Sequence, residues 1–228
     1  MTARLPMKPR PPTVSIVDDD ELLVRALVRL LREEGLAARG YESAEAFLAD
    51  LDPVASGCLL LDVHLPGLDG LALQRRLAEQ GAALPIVFLT GHGDIPMTVT
   101  AVKAGAVDFL TKPVDAAKLV AAVRAALAHE RDARAAATRS AELRRRHASL
   151  TPREREVLDR LVAGRLNKQI AADLGIVEQT VKFHRARIME RMQAHTLAEL
   201  MHLTASLRDP DAASAHGSAA GGRAEPPD

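Results

Sequence analysis

Cysteine is almost missing from this chain: 228 residues hold a single one, Cys58. An intramolecular disulfide is therefore excluded, and a lone cysteine inside an apolar run is a small core residue. Zinc-type punctuation is missing as well. The eight histidines are scattered, with neither CxxC pairs nor an HxxxH helix, so no structural zinc site is expected. No apolar run reaches the ~18 residues of a membrane span. The start, MTARLPMKPRPP, is basic and Pro-rich but leads into no apolar signal core. The expectation is a soluble, cytoplasmic chain with no membrane partner. Net charge is lacking too, since 30 Lys and Arg balance 30 Asp and Glu. The balance hides an asymmetry: 13 basic against 16 acidic residues over 1–128, but 15 against 10 over 129–207. Only the second part carries the surplus expected of a segment that meets a polyanion.

What is present is enough apolar material for real cores, 47% of residues, and a length beyond the ~100–200 of one ordinary domain. Over the first ~128 residues, strand and helix patterns alternate. Strands read at Thr13 to Val17, Leu36 to Tyr41, Cys58 to Asp62, Pro85 to Thr90 and Ala106 to Leu110. Helical spacing, as in Leu22, Leu23, Ala26, Leu27, Leu30 and Leu31, predicts helices near 20–34, 43–51, 69–80, 95–104 and 115–128. Five βα units imply an α/β fold with a doubly wound, five-stranded parallel sheet.

The Ala/Arg-rich stretch 129–149 has no continuous apolar stripe and reads as a helical linker. From Leu150 to Leu207 no strand pattern survives, and four short helices are punctuated by Gly164 and Gly175. Thr151-Pro152-Arg153-Glu154 has a capping-box layout, with Thr151 as N-cap, Pro152 at N1 and Glu154 at N3. The basic, Pro-rich tail at 1–12 and the small, polar, Pro/Gly-rich tail at 208–228 are expected to be disordered.

Chemistry concentrates where strands end. The run LLLDVHLPGLDG stops on Asp62 and turns at once into a Pro/Gly loop; TVSIV stops at Asp18 and Asp19; VDFLT stops at Lys112, followed by Pro113. Ligands in open α/β sheets gather at the carboxyl ends of the strands. If these strands are neighbours, three carboxylates and an ammonium share one crevice. Like charges that close repel, and such a set persists mainly where a cation offsets it. Hard oxygen ligands suit Mg²⁺ completed by phosphate oxygens. Any single Asp after a strand is more often a cap or loop residue, and Asp20 reads that way, as the N-cap of the first helix.

In order and spacing, VDDDE, LLLDVHLPGLDG, FLTGHGD and VDFLTKP resemble the receiver domain of bacterial two-component response regulators, a CheY-like and flavodoxin-like fold, over 13–128. The resemblance implies that Asp62 is the phospho-acceptor, served by a sensor histidine kinase. It further implies that Asp18, Asp19, Asp62 and the backbone carbonyl of His64 surround Mg²⁺, Asp18 through water, and that Thr90 and Lys112 hold phosphoryl oxygens. A carboxylate nucleophile needs little activation, so positioning and charge neutralisation suffice. Pro113 is expected in cis, and His64 and His92 are placed beside the acyl phosphate. Thr90 and Phe109 resemble the family's switch pair. The surface they control, with Ile95, Val99, Val102, Lys103, Asp115, Lys118 and Leu119, dimerises in related proteins.

The segment LTPREREVLDRLVAGRLNKQIAADLGI followed by TVKFHRARIMERMQA resembles the four-helix LuxR-type helix-turn-helix domain of the FixJ/NarL group, over 150–207. Asn167 is expected to cap the scaffold helix, with Lys168 near phosphate. Glu178 to Met192 is expected to be the recognition helix. On it Val181, Ile188 and Met192 are spaced to pack inward. Gln179, Lys182, Phe183 and Ala186 are the expected base readers, and His184, Arg185 and Arg187 the phosphate contacts. Phe183 stands where the family commonly has a small aliphatic residue, and Val177 where it commonly has a capping Ser. Leu197, Leu200, Met201 and Leu203 on the last helix resemble a DNA-bound dimer interface.

The combined reading is a phosphorylation-switched transcription regulator acting as a dimer on promoter DNA, with RNA polymerase as a further partner and a family leaning toward activation. It is not an enzyme beyond assisting its own phosphorylation and dephosphorylation. One rival is a phosphorylation-independent regulator, against which stands the full Asp18, Asp19, Asp62, Thr90 and Lys112 set. The other is a Mg²⁺-dependent phosphohydrolase; the haloacid-dehalogenase signature wants a second Asp two residues after the nucleophile, and His64 is there.

Overall fold

The computed structural model describes residues 11–52, 56–82, 84–91 and 105–208. The chain divides into two compact units, Met1–Arg134 and Ala135–Asp228. Among the described residues no helix is long and apolar enough to cross a membrane.

In the first unit, β1 (Thr13–Val17), β2 (Ala37–Tyr41), β3 (Gly57–Asp62), β4 (Ile86–Thr90) and β5 (Asp108–Thr111) form one sheet in the order β2-β1-β3-β4-β5, every pairing parallel. Parallel strands are covered on both faces, and β3 shows the consequence. All six of its residues are buried, with Cys58 and Leu60 packing into one core and Leu59 and Leu61 into the other. The same alternation sends Val87 and Leu89 of β4 to the first core and Ile86 and Phe88 to the second. Burial pushes the Cys58 thiol up to about 12, with Glu130 adding to the rise, so this cysteine is an inert packing residue.

Helices α1 (Glu21–Glu33), α2 (Ala44–Asp50) and α3 (Gly70–Glu79) link the strands. Each starts where a side chain satisfies orphan amides: Asp20 accepts from the Leu22 and Leu23 amides, Ser43 from Ala46, and Asp69 from Ala72. The helix expected near 95–104 lies outside the described residues. Three strands open one or two residues later than the apolar patterns suggest, β5 most clearly. There Val107 only donates to the Ile86 carbonyl, and the register begins at Asp108.

The next helix, α4 (Ala116–Ala148), runs 33 residues without interruption, and the boundary between the two units falls within it. Its Ala and Arg content favours helix without packing. Ion pairs of Glu130 with Arg134 and of Glu142 with Arg145 and Arg146 support it along its length.

The second unit is helical: α5 (Pro152–Val162), α6 (Asn167–Leu174), α7 (Glu178–Met192) and α8 (Leu197–Arg208) close around Leu150, Val157, Leu158, Ile170, Val181, Ile188 and Leu200. The capping box at α5 is present as the spacing implies. The Thr151 hydroxyl accepts from the Glu154 amide, and the Glu154 carboxylate accepts from the Thr151 amide at 2.8 Å. Gly175 ends α6 in the left-handed conformation that a residue without Cβ adopts without strain.

One cap differs from expectation. Leu166, not Asn167, is the N-cap of α6, and it has no side chain that can accept. The helix turns in one residue earlier, with the Gln169 side chain accepting from the Leu166 amide at 2.9 Å. Asn167 becomes the first helical residue, its Oδ1 buried without a hydrogen-bond partner.

Candidate functional site

The sheet order reverses direction between β1 and β3, and that is where crevices open in doubly wound sheets. In register Val17 pairs with Leu61, so the next residues, Asp18 and Asp62, emerge side by side. Asp18 is fully buried and Asp62 nearly so. Asp18, Asp19 and Asp62 each present a carboxylate oxygen within 4.8 Å of the others. β5 brings the cation: Lys112 Nζ lies 2.6 Å from Asp18 Oδ2 and 3.2 Å from Asp62 Oδ1. Its backbone is tied to the neighbouring strand, the Lys112 amide donating to the Thr90 carbonyl at 2.7 Å. The Lys112-Pro113 peptide is cis. Thr90 is fully buried at the end of β4.

The electrostatics follow from this crowding. Burial pushes the Asp62 carboxyl above its ordinary value; Lys112 pulls it back, and the charges of Asp18 and Asp19 add to the rise. For Lys112, burial works downward, but the hydrogen bond and charge of Asp18, with those of Asp62, turn the net shift upward. Asp18 Oδ1 also accepts from the Asp20 amide at 3.0 Å, which fixes its rotamer. An octahedral Mg²⁺ has ligands ~2.1 Å away, so oxygens on it stand about 3–4 Å apart. Three carboxylate oxygens within 4.8 Å fit that shell after a small contraction, and exposed Asp19 is the one able to shift.

The loop after Asp62 is held by contacts that the motif alone does not reveal. A Cβ on Gly70 would lie 2.2 Å from the Asp62 carbonyl oxygen, and the Gly70 amide donates to the Val63 carbonyl at 3.0 Å. Only glycine lets the start of α3 approach the end of β3 this closely. Glu45 on α2 reaches across to accept from the Leu68 amide. A glycine directly after the capping Asp69 was the available signal for the first contact; the second joins residues 23 apart and had none.

Other expected site residues are distributed as follows. His64 is exposed just past β3. Phe109 is half-buried in the second core, its ring 5.9 Å from that of Phe88. Asp115 and Lys118 are exposed at the start of α4, where Asp115 accepts from the Lys118 amide. Leu119 is a correction: at 0% exposure it belongs to the receiver core beside Val123 and Leu89 and offers no surface. It sits on the helix face turned to the sheet, one residue from exposed Lys118. His92, Ile95, Val99, Val102 and Lys103 lie outside the described residues.

In the second unit, α7 separates two faces. Val181, Ile188 and Met192 are fully buried, while Gln179, Lys182, Phe183, Ala186 and Arg187 are exposed and His184 and Arg185 half-exposed. Lys168 is exposed at the start of α6. Val177 is the N-cap of α7, and its side chain accepts no amide. The other end of α7 is anchored: Arg191 donates to the Ser149 carbonyl and lies 3.5 Å from the buried Glu154 carboxylate. Burial alone would raise the Glu154 pKa, but hydrogen bonds from Thr151, with Arg191 and His184, bring it down. Sequence reasoning identified Glu154 as a cap and missed Arg191, 37 positions away. Of the four α8 residues expected to form a dimer interface, Leu200 is fully buried and Leu197 and Leu203 pack on the same core, leaving Met201 exposed. The unit's own core therefore uses most of the face expected to pair.

Residues 14–124 match the response regulator receiver domain, and residues 148–204 match the bacterial regulatory proteins of the luxR family. The chain is 45% identical over 203 residues to response regulator protein TodT of Pseudomonas putida, covering 89% of each. It is 43% identical over 190 residues to transcriptional regulatory protein FixJ of Azorhizobium caulinodans, covering 83% of this chain and 90% of that one. Among solved structures, response regulator StyR aligns with a TM-score of 0.80 at 43% identity, over 86% of this chain and all of that one, 100%.

Proposed function

The chain belongs to the two-component response regulators that join a receiver to a LuxR-type DNA-binding domain, and on that premise we propose how its residues divide the work. Asp62 is the phospho-acceptor. The observation that carries this is the crevice itself, where a nearly buried carboxylate stands 3.2 Å from Lys112 Nζ and within 4.8 Å of two further carboxylates. An Asp62 oxygen attacks the phosphorus of the kinase's phosphohistidine, a P–O bond forming as the P–N bond breaks. Lys112, already paired to the site, moves its ammonium onto a phosphoryl oxygen, and the Thr90 hydroxyl accompanies it. Asp18, Asp19 and Asp62, with the His64 carbonyl, would hold Mg²⁺, whose charge would offset the negative charge of the phosphoryl group.

Phosphorylation draws Thr90 toward the phosphate, and Phe109, half-buried beside Phe88, turns further inward. The surface that includes Asp115 and Lys118 then pairs with a second copy. The dimer presents two α7 helices to promoter DNA in the cytoplasm, where RNA polymerase is the downstream partner. Gln179, Lys182, Phe183 and Ala186 face the bases; Lys168, His184, Arg185 and Arg187 face phosphates. The surplus of basic residues over 129–207 supports this half.

The test begins with acetyl phosphate and Mg²⁺. Intact mass should rise by one phosphoryl group for the wild type and not for Asp62→Asn. Sedimentation velocity and DNA binding at fixed salt, with and without beryllofluoride, should then rise together. Equal labelling of both proteins would remove Asp62 from its role, and an unresponsive mass and affinity would leave the DNA-binding half acting independently of phosphorylation.

A further inference from the structure

On the outward face of α7, the geometry points to Phe183 as the reader of a thymine methyl group in the DNA, an inference that rests on the DNA-binding reading of that helix and adds the base it selects. Of the four phenylalanines, Phe47 and Phe88 are buried, Phe109 is half-buried, and Phe183 alone is largely exposed, at 57%. It contributes nothing to the core of its unit. An exposed phenyl ring in the second turn of a basic helix is open to an apolar group outside the chain, whose contact would remove it from water.

The ring is also held in place. The Arg187 guanidinium lies over it, 5.5 Å from the centroid, and the His184 ring meets it edge-on at 5.8 Å. One face is thereby occupied and the ring's swing restricted, so the remaining face is presented in a defined direction at little further loss of entropy. Its surroundings are hydrogen-bond donors: Lys182 precedes it, and Arg187 covers it.

The chemistry of the major groove narrows the target. A phenyl ring offers neither donor nor acceptor, so against G O6 and N7, C N4–H₂ or A N6–H₂ it would strip water from a polar edge and return nothing. The thymine C5-methyl is the apolar feature of that groove. Thymine also carries O4, an acceptor that suits neighbouring Lys182. 5-Methylcytosine shares the methyl but carries a donor at that place, so thymine is the base assigned. Burying one methyl is worth about a fourfold change in affinity.

The experiment uses the full chain with Mg²⁺ and beryllofluoride, and a duplex obtained by selection from random DNA. Each thymine is replaced in turn by deoxyuridine, which removes only the methyl. For the wild type, at least one thymine per half-site should lose about fourfold on this exchange. For Phe183→Ala, folded by circular dichroism, the factor at the same thymine should fall to about one. A fourth arm places 5-methylcytosine there. Tighter binding than to thymine overturns the thymine assignment in favour of a methylated cytosine, and weaker binding supports it. A methyl effect that survives in Phe183→Ala, or is absent at every thymine, overturns the inference while DNA binding stands. If the wild type selects no sequence at all, the DNA-binding reading fails first and takes this inference with it.

Discussion

Replacing Asp62 by Asn should stabilise the Mg²⁺-free protein while abolishing phosphorylation, the opposite of what loss of a paired buried residue ordinarily does. Asp62 faces buried Asp18 and exposed Asp19, with an oxygen of each within 4.8 Å. At an effective dielectric near 20, Asp18 repels it by about 3.5 kcal/mol, and Lys112 at 3.2 Å attracts it by about 5 kcal/mol. Asp19 is screened by solvent and adds roughly 1 kcal/mol of repulsion. The Coulomb contributions nearly cancel. What remains is the cost of keeping a carboxylate from water, on the order of 2 kcal/mol, and it is the leading cause of the upward pKa of Asp62. Asparagine keeps the shape and removes that charge, though it also weakens the contact with Lys112. A net gain of about 1 kcal/mol should raise the receiver's melting temperature by roughly 3–6 °C.

The pH dependence supplies a second signature. A carboxyl whose folded pKa lies above its unfolded value binds more protons in the folded state, so stability falls as pH rises between the two. The advantage of Asp62→Asn should therefore be absent below the ordinary carboxylate range and complete above the raised pKa of Asp62. Saturating Mg²⁺ reverses the ranking, because a ligand at 100 times its dissociation constant stabilises by about 2.7 kcal/mol and the variant binds it less well. Calorimetry of both proteins in EDTA and in Mg²⁺, at several pH values, reads all three effects. A lower melting temperature for Asp62→Asn in EDTA at neutral pH would refute the reasoning.

Gly70→Ala should cost about 1–3 kcal/mol by denaturant unfolding and slow phosphorylation, because a Cβ 2.2 Å from the Asp62 carbonyl forces the acceptor loop away from β3. Val177→Ser should gain about 1 kcal/mol of thermal stability in the second unit by supplying the missing cap of α7; the present side chain is 68% exposed and accepts no amide. Lys182→Ala should weaken DNA binding and relax sequence preference, whereas Arg185→Ala should weaken all sites alike and reduce the salt slope by about 1, both measured by titration across salt.

Much of the fold was legible because both signals behind it are local. Periodicity separated strands from helices, and the all-apolar run of β3 announced a strand buried on both faces. Capping chemistry placed the starts of α1 and α5 on Asp20 and Thr151. Where expectation and structure part, a single contact decided, tertiary for Leu119 and local for Asn167. Leu119 has helical spacing that serves surface or core equally well, and only the packing of α4 on the sheet assigns it to the core. Asn167 has capping chemistry, yet the chain turns in at Leu166 with Gln169 satisfying its amide.

The sequence by itself determined the acidic strand ends, Lys112 before Pro113, and a basic helix with one apolar face. Strand order, by contrast, is a long-range property. Residues 18, 62 and 112 carry no mark of being neighbours until β1, β3 and β5 take their places in one sheet. The sheet's order brings carboxylates from different parts of the chain to within 4.8 Å of one another; burial in that crevice shifts Asp62, and the neighbouring carboxylates shift Lys112. The same holds for Arg191 and Glu154, and for the Gly70 contact: a charge or a missing Cβ acquires its energy from what folding sets against it.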